Sequence, residues 1–256
     1  IEWISSETQI AQAEIDKLAQ GFVAWLRAII AHCRGKDAGG RTPSDVPLCA
    51  FDQATLDLLW QKYPRFEEAY PLTPMQRLFF VMEEVKNAVG LEQWQFRIEG
   101  ELAPSLLRTA FEQVMARHAM LRTAFASLSG GEPVQVVMPS AVLPWHEHDW
   151  RSLDAAARDE AMSRLLREDA QAGLDIARPP LMRVNVARVA DAQWLLVWTT
   201  HHLCIDGWSW PRVFKEVAEV YAALEEQRGA VLEPATRYSD YVAWLSRNAA
   251  SSESYW

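Results

Sequence analysis

Nothing in this chain reads as a membrane anchor, an export signal or a metal cage. No apolar run approaches a bilayer span, and no basic segment followed by an apolar stretch opens the sequence. Cysteine is scarce: Cys33, Cys49 and Cys204 are odd in number and far apart. That spacing argues against a disulfide framework and fits reduced thiols in a cytoplasmic protein. No paired CxxC and no HExxH occurs, so no metal site is expected. Basic clusters are missing as well. With a formal net charge of -9, the chain offers no surface for nucleic acid or for an anionic membrane. What is present is apolar bulk. Hydrophobic residues make up 50% of the 256, enough for one large domain or two small ones. Ile1 is not a start residue, and the chain reads as cut from something longer.

One segment carries chemistry: His201-His202-Leu203-Cys204-Ile205-Asp206-Gly207. Histidine is the side chain best suited to moving a proton near neutral pH. Upstream, Gln193 to Thr200 is β-branched and aromatic, as in a buried strand. Downstream, Val213, Phe214, Val217, Val220, Tyr221 and Leu224 recur at helical spacing, with Pro211 suited to the first turn. The histidines therefore stand in a loop between a strand and a helix, where a rigid element can aim them. Three other readings compete. Either histidine could be a satisfied core residue. His202 and Asp206 could share a metal only on a helix, which the strand and Gly207 argue against. A nucleophile elbow at Ser209 fails because Pro211 occupies its second glycine position. Cys204, between Leu203 and Ile205, reads as buried filler.

The rest of the chain divides into periodic segments. Ile1 to Ile4 could end a strand. Residues 8–34 read as an amphipathic helix with Ile15, Leu18, Phe22, Leu26, Ile29, Ile30 and Cys33 as its stripe. Residues 35–50 are rich in Gly, Pro and Asp and read as linker, and Asp52 to Lys62 as a short helix. Thr73-Pro74-Met75-Gln76 is a helix start with a capping box, followed by Leu78, Val81 and Met82 as the expected buried face. Trp94, Phe96 and Ile98 alternate as a half-exposed strand. A helix should end near His118, and strands should run over 122–126 and 134–138 around a Gly130-Gly131 turn. Asp154 to Gln171 reads as a helix, Met182 to Val186 as a strand pairing with the one to Thr200, and Asp240 to Asn248 as a closing helix. Mixed strands and helices with hairpin-like pairs point to an α+β sandwich.

Several ordered segments resemble a known family. Tyr70-Pro71-Leu72-Thr73-Pro74-Met75-Gln76, Arg117 to Phe125, His201 to Ser209 and Tyr238 to Trp244 resemble, in order, four core motifs of the nonribosomal peptide synthetase condensation domain. The third matches its HHxxxDGWS signature. The resemblance runs from about Tyr70 to Trp256 and covers the N-terminal lobe. It implies a chloramphenicol-acetyltransferase-like sandwich, one lobe of a two-lobe, V-shaped domain. Residues 1–34 would then be a trailing helix of a preceding domain, 35–66 a linker and 67–256 the lobe. Ile1 to Gly35 and Arg41 to Leu48 look like the tail of an epimerization-type domain and its linker, and the first motif resembles the subtype that follows such a domain.

The resemblance implies amide formation between a carrier-bound donor thioester, D-configured in that subtype, and a carrier-bound acceptor amine. No tightly bound cofactor is implied; phosphopantetheine arms would come from upstream and downstream carrier domains. Other partners the resemblance implies are the second lobe, expected to lie outside this chain, and adjacent synthetase domains. His202 would be the catalytic residue, as base or as positioner of the amine. Gly207 would let backbone and pantetheine approach. His201 would support the loop, and Asp206 would pair internally with Arg122, because a lone buried carboxylate is costly. Rival readings are an epimerization domain, which has Val where Trp208 stands, an inactive carrier-binding module, and a stand-alone acyltransferase using coenzyme A.

Overall fold

The structure, a computed structural model, describes residues 10–35, 40–86, 89–128 and 131–253. The expected strand at residues 1–4 and Gly130 of the expected turn lie outside them. The chain forms two compact units, residues 1–41 and 42–256. The first holds helix α1, Gln12–Cys33, 22 residues long. The helix is amphipathic as expected, and Leu18, Phe22 and Ile29 of its apolar stripe are exposed.

The second unit is built on two sheets. Strands β1 (Glu68–Pro71), β3 (Thr123–Ala126) and β4 (Val134–Val137) make a small sheet in the order β1-β4-β3, all antiparallel. Strands β2 (Leu91–Glu99), β5 (Trp145–Asp149), β6 (Met182–Ala190) and β7 (Gln193–His201) make the larger one, in the order β2-β7-β6-β5. The expected β6–β7 hairpin is present, whereas β5 joins β6 in parallel. Periodicity predicts neither β1 nor β5. Four or five residues give too few alternations to read, and Trp145-His146-Glu147-His148-Asp149 is mostly polar.

Helices α4 (Pro104–Arg117) and α6 (Trp210–Glu225) cover one face of the larger sheet. Leu107, Phe111 and Val114, with Val213, Val217 and Val220, recur at helical spacing and pack on Val184, Val186, Leu196 and Trp198. The register places Val184 opposite Trp198 and Val186 opposite Leu196, so the sheet side is continuous. Each such side chain contributes about 1.5–3 kcal/mol by leaving water. On the other face the register aligns Gln93, Thr199 and Arg183 across three strands. All three converge on buried Asp169 of α5 (Ala155–Ala172): Thr199 Oγ1 donates at 2.6 Å, Gln93 Nε2 at 2.8 Å, and Arg183 pairs with it. Sequence periodicity does not show this polar layer, because each member sits alone on its strand.

Two expectations about the N-terminal half change. Residues 42–66, read as linker, fold onto the small sheet. Helix α2 (Gln53–Lys62), capped by Asp52, buries Leu56 and Leu59, which pack with Val46, Tyr63 and Phe66 against Ala69, Ala124 and Val136. Pro43 and Asp45 there form a capped turn, and Asp52 caps α2, rather than leaving slack chain. In helix α3 (Pro74–Lys86) the buried side is not Leu78, Val81 and Met82. Leu78 and Val81 are exposed, and Gln76, Phe80 and Glu83 face inward. A hydrophobic count misassigns this helix because its inward face carries polar residues that meet the histidine loop.

Candidate active site at the end of strand β7

His201 ends β7, and the loop 202–209 leads into α6. The adjacent histidines have opposite surroundings. His201 is 1% exposed. Its Nδ1 accepts the Leu203 N–H at 3.1 Å, so its proton sits on Nε2. Glu83 Oε2 stands 3.4 Å from that Nε2, too far for a strong hydrogen bond, and no other partner reaches the nitrogen among the described residues. Burial holds the His201 pKa below the ordinary histidine range, with Glu83 opposing but not cancelling the effect. Gly90 lies directly over the ring. A Cβ there would fall 2.9 Å from both ring nitrogens and closer to Cε1, so only glycine fits.

His202 is partly exposed, with 29% of its side chain accessible. Its N–H donates to Gly90 O at 2.8 Å, which anchors the loop to the chain entering β2. Its ring stacks on Phe79 of α3, centroids 5.0 Å apart. Glu92 Oε1 approaches its Nε2 to 3.0 Å. Helix α3 holds the loop at a second point. Gln76 Nε2 donates to Leu203 O at 3.0 Å and exchanges hydrogen bonds with Gln135 of β4. The Thr73–Gln76 capping box forms as expected: the Thr73 N–H donates to Gln76 Oε1 at 3.0 Å. The same glutamine thus caps a helix and fixes the loop, a dual use that motif spacing alone does not show.

The Asp206–Arg122 pair expected from the resemblance does not form. Asp206 is exposed, and its Oδ1 accepts the Ser209 Oγ hydroxyl at 2.6 Å, the Ser209 N–H at 2.8 Å and the Trp208 N–H at 3.1 Å. Partial burial pushes its pKa up, but the Ser209 and Trp208 hydrogen bonds outweigh this and hold it below the usual carboxylate range. It acts as a turn-former before α6. Arg122 is buried elsewhere. It pairs with Glu67 at 3.0 Å, donates from Nε to Ala116 O at 3.2 Å, and bonds Met138 O through Nη1. It ties the end of α4 to the small sheet. The loop's short-range bonds give Asp206 local partners, so it needs no distant cation.

Gly207 is exposed, and a Cβ there would meet open space. Close approach within the chain is therefore at Gly90, which no motif singles out. Behind the loop lies a cleft of about 290 Å³ bounded by Cys204, Ser209, Arg212, Glu216, Tyr238 and Tyr241. Burial raises the Cys204 thiol pKa, in keeping with filler. No group of three or more His, Cys, Asp or Glu that could hold a metal occurs among the described residues, and no helix there is long and apolar enough to cross a membrane.

The chain is similar to known synthetases. It is 37% identical over its whole length to one component of the linear gramicidin synthase of Brevibacillus parabrevis, spanning 5% of that protein. It is 27% identical over 98% of its length to bacitracin synthase 1 of Bacillus licheniformis, again spanning 5%. Among solved structures, the starter condensation domain of rhizomide synthetase RzmA matches with a TM-score of 0.66 at 22% identity, over 73% of this chain and 48% of that one. The first condensation domain of the calcium-dependent antibiotic synthetase, in complex with a substrate analogue, matches with a TM-score of 0.66 at 20% identity, over 71% and 44%. The chain thus spans about half the length of the condensation domains whose fold it shares. The family description "Condensation domain" fits residues 66–256, and the chain belongs to that family.

Proposed function

We propose that this chain supplies the His202 wall of an amide-forming site in cytoplasmic nonribosomal peptide synthesis. The donor is an acyl or peptidyl thioester on one carrier domain, and the acceptor is the amine of an aminoacyl thioester on another. Phosphopantetheine arms of the carriers bring both. The observation that carries the reading is the split between the histidines: His201 is sealed and structural, while His202 is oriented by Phe79 and Glu92 yet still accessible. The amine must lose a proton as its nitrogen attacks the thioester carbon. His202 takes that proton, the C–S bond breaks, and the proton ends on the departing thiol. A thioester is already activated, so no nucleotide is required. The second half of the domain supplies the facing wall, and Gly207 leaves room beside the loop for an arm. Supported by the first motif and the N-terminal segment, the donor is D-configured.

The test is single-turnover peptide transfer in the full-length synthetase with both carriers loaded. His202→Ala should lose about 10²- to 10⁴-fold in rate; near-normal product formation would remove His202 from the chemistry. A D-configured donor should transfer faster than its L-epimer, and the reverse order would overturn the subtype. Following the α-carbon of a single loaded carrier separates condensation from epimerization.

A further inference from the structure

We propose that Glu92 is a positioning residue for His202, holding the ring in one tautomer and stabilising it when protonated. The proposal rests on the role given to His202 above. Glu92 lies on β2 directly opposite Thr200 of β7, at the end of the sheet from which the histidine loop leaves. Its Oε1 is 3.0 Å from His202 Nε2. Two bare acceptors at that distance would repel, so the neutral ring carries its proton on Nε2. That leaves Nδ1 to accept the proton of the attacking amine. Phe79 stacked on the ring limits its rotation, so the carboxylate and the aromatic face together set one orientation.

The other oxygen makes the case stronger. Glu92 Oε2 is buried and has no hydrogen-bond donor, and neither has the buried Thr200 Oγ1 a partner among the described residues. No lysine or arginine pairs with Glu92 among them. A buried carboxylate oxygen without a donor leaves the negative charge poorly neutralised. The cation that relieves it is the imidazolium formed when His202 takes the amine proton. As the N–C bond forms and the C–S bond breaks, positive charge builds on His202 beside Glu92; it disappears when the proton passes to the thiolate. Glu92 thus favours the charged intermediate over the resting state, which is where an electrostatic contact affects rate. Sequence patterning does not single out Glu92, because it is one polar residue in an alternating strand.

The experiment measures single-turnover transfer in the full-length synthetase, varying the loaded acceptor carrier, for wild type, Glu92→Gln, Glu92→Asp and His202→Ala. Glu92→Gln keeps the shape and removes the charge. It should lower the rate at saturating acceptor roughly 10- to 100-fold, with the half-saturating acceptor concentration and the unfolding midpoint unchanged. Glu92→Asp should recover most of that rate. In a double variant with His202→Ala, Glu92→Gln should add no further loss. A wild-type rate for Glu92→Gln while His202→Ala is inert would overturn the role of Glu92 alone. Wild-type rates for both would overturn both assignments. A change confined to half-saturation, or an equal loss in Glu92→Asp, would also overturn it.

Discussion

From His201 to Ile205 the histidine segment is held by other parts of the fold, whereas from Asp206 to Ser209 it holds itself. In the first stretch, Gly90 covers the His201 ring, Gln76 takes the Leu203 carbonyl, and Leu203 and Ile205 are buried in two apolar clusters. In the second, Asp206 collects three hydrogen bonds from Trp208 and Ser209, and Trp208 is 89% exposed. His202 stands at the junction. The difference teaches where rigidity is placed: long-range contacts fix the histidines to the sheet end, and a local turn leaves the surface beyond them open. A change in the first stretch should therefore lower stability, and one in the second should spare it.

The largest stability effect should come from a residue outside the loop. Arg122→Ala should cost about 3 kcal/mol, since it leaves the Ala116 and Met138 carbonyls and Glu67 without their donor. Denaturant unfolding of the intact condensation domain checks this; a loss within experimental error would show that the buried network adds nothing. Gly90→Ala should cost about 1–3 kcal/mol by driving a methyl group into the His201 ring. Gly207→Ala, which meets open space, should leave the unfolding midpoint unchanged. Equal losses at the two glycines would break the contrast between sealed and open stretches. The smallest expected effect is a coupling near zero. Asp206→Ala and Arg122→Ala should add within about 0.5 kcal/mol, because the residues share no partner. A double variant losing clearly less than the sum would restore the expected ion pair.

Much of the fold is legible in the sequence for a physical reason. Helical spacing of Val213, Val217 and Val220, alternation of Met182, Val184 and Val186, and the Thr73–Gln76 cap are local patterns, and local patterns survive in a linear reading. Arg122 illustrates the limit. Its motif position marks it as structural but points to the wrong partner, since a guanidinium can reach many carboxylates and only the packed chain selects Glu67. Leu78 and Val81 illustrate another, for hydrophobicity cannot tell a core face from an outer one when the inward face carries Gln76 and Glu83.

The sequence alone determined the strand, loop and helix around the double histidine, and with them the family. These depend on neighbours a few residues apart, whose conformational preferences act before the chain is packed. The tertiary structure decided the rest: that His201 is sealed under Gly90 while His202 is not, that residues 42–66 belong to the folded unit, and that Glu92 and Phe79 frame the His202 ring. Each of these joins residues from different elements. Burial and charge pairing are properties of distance in space, which chain order does not carry.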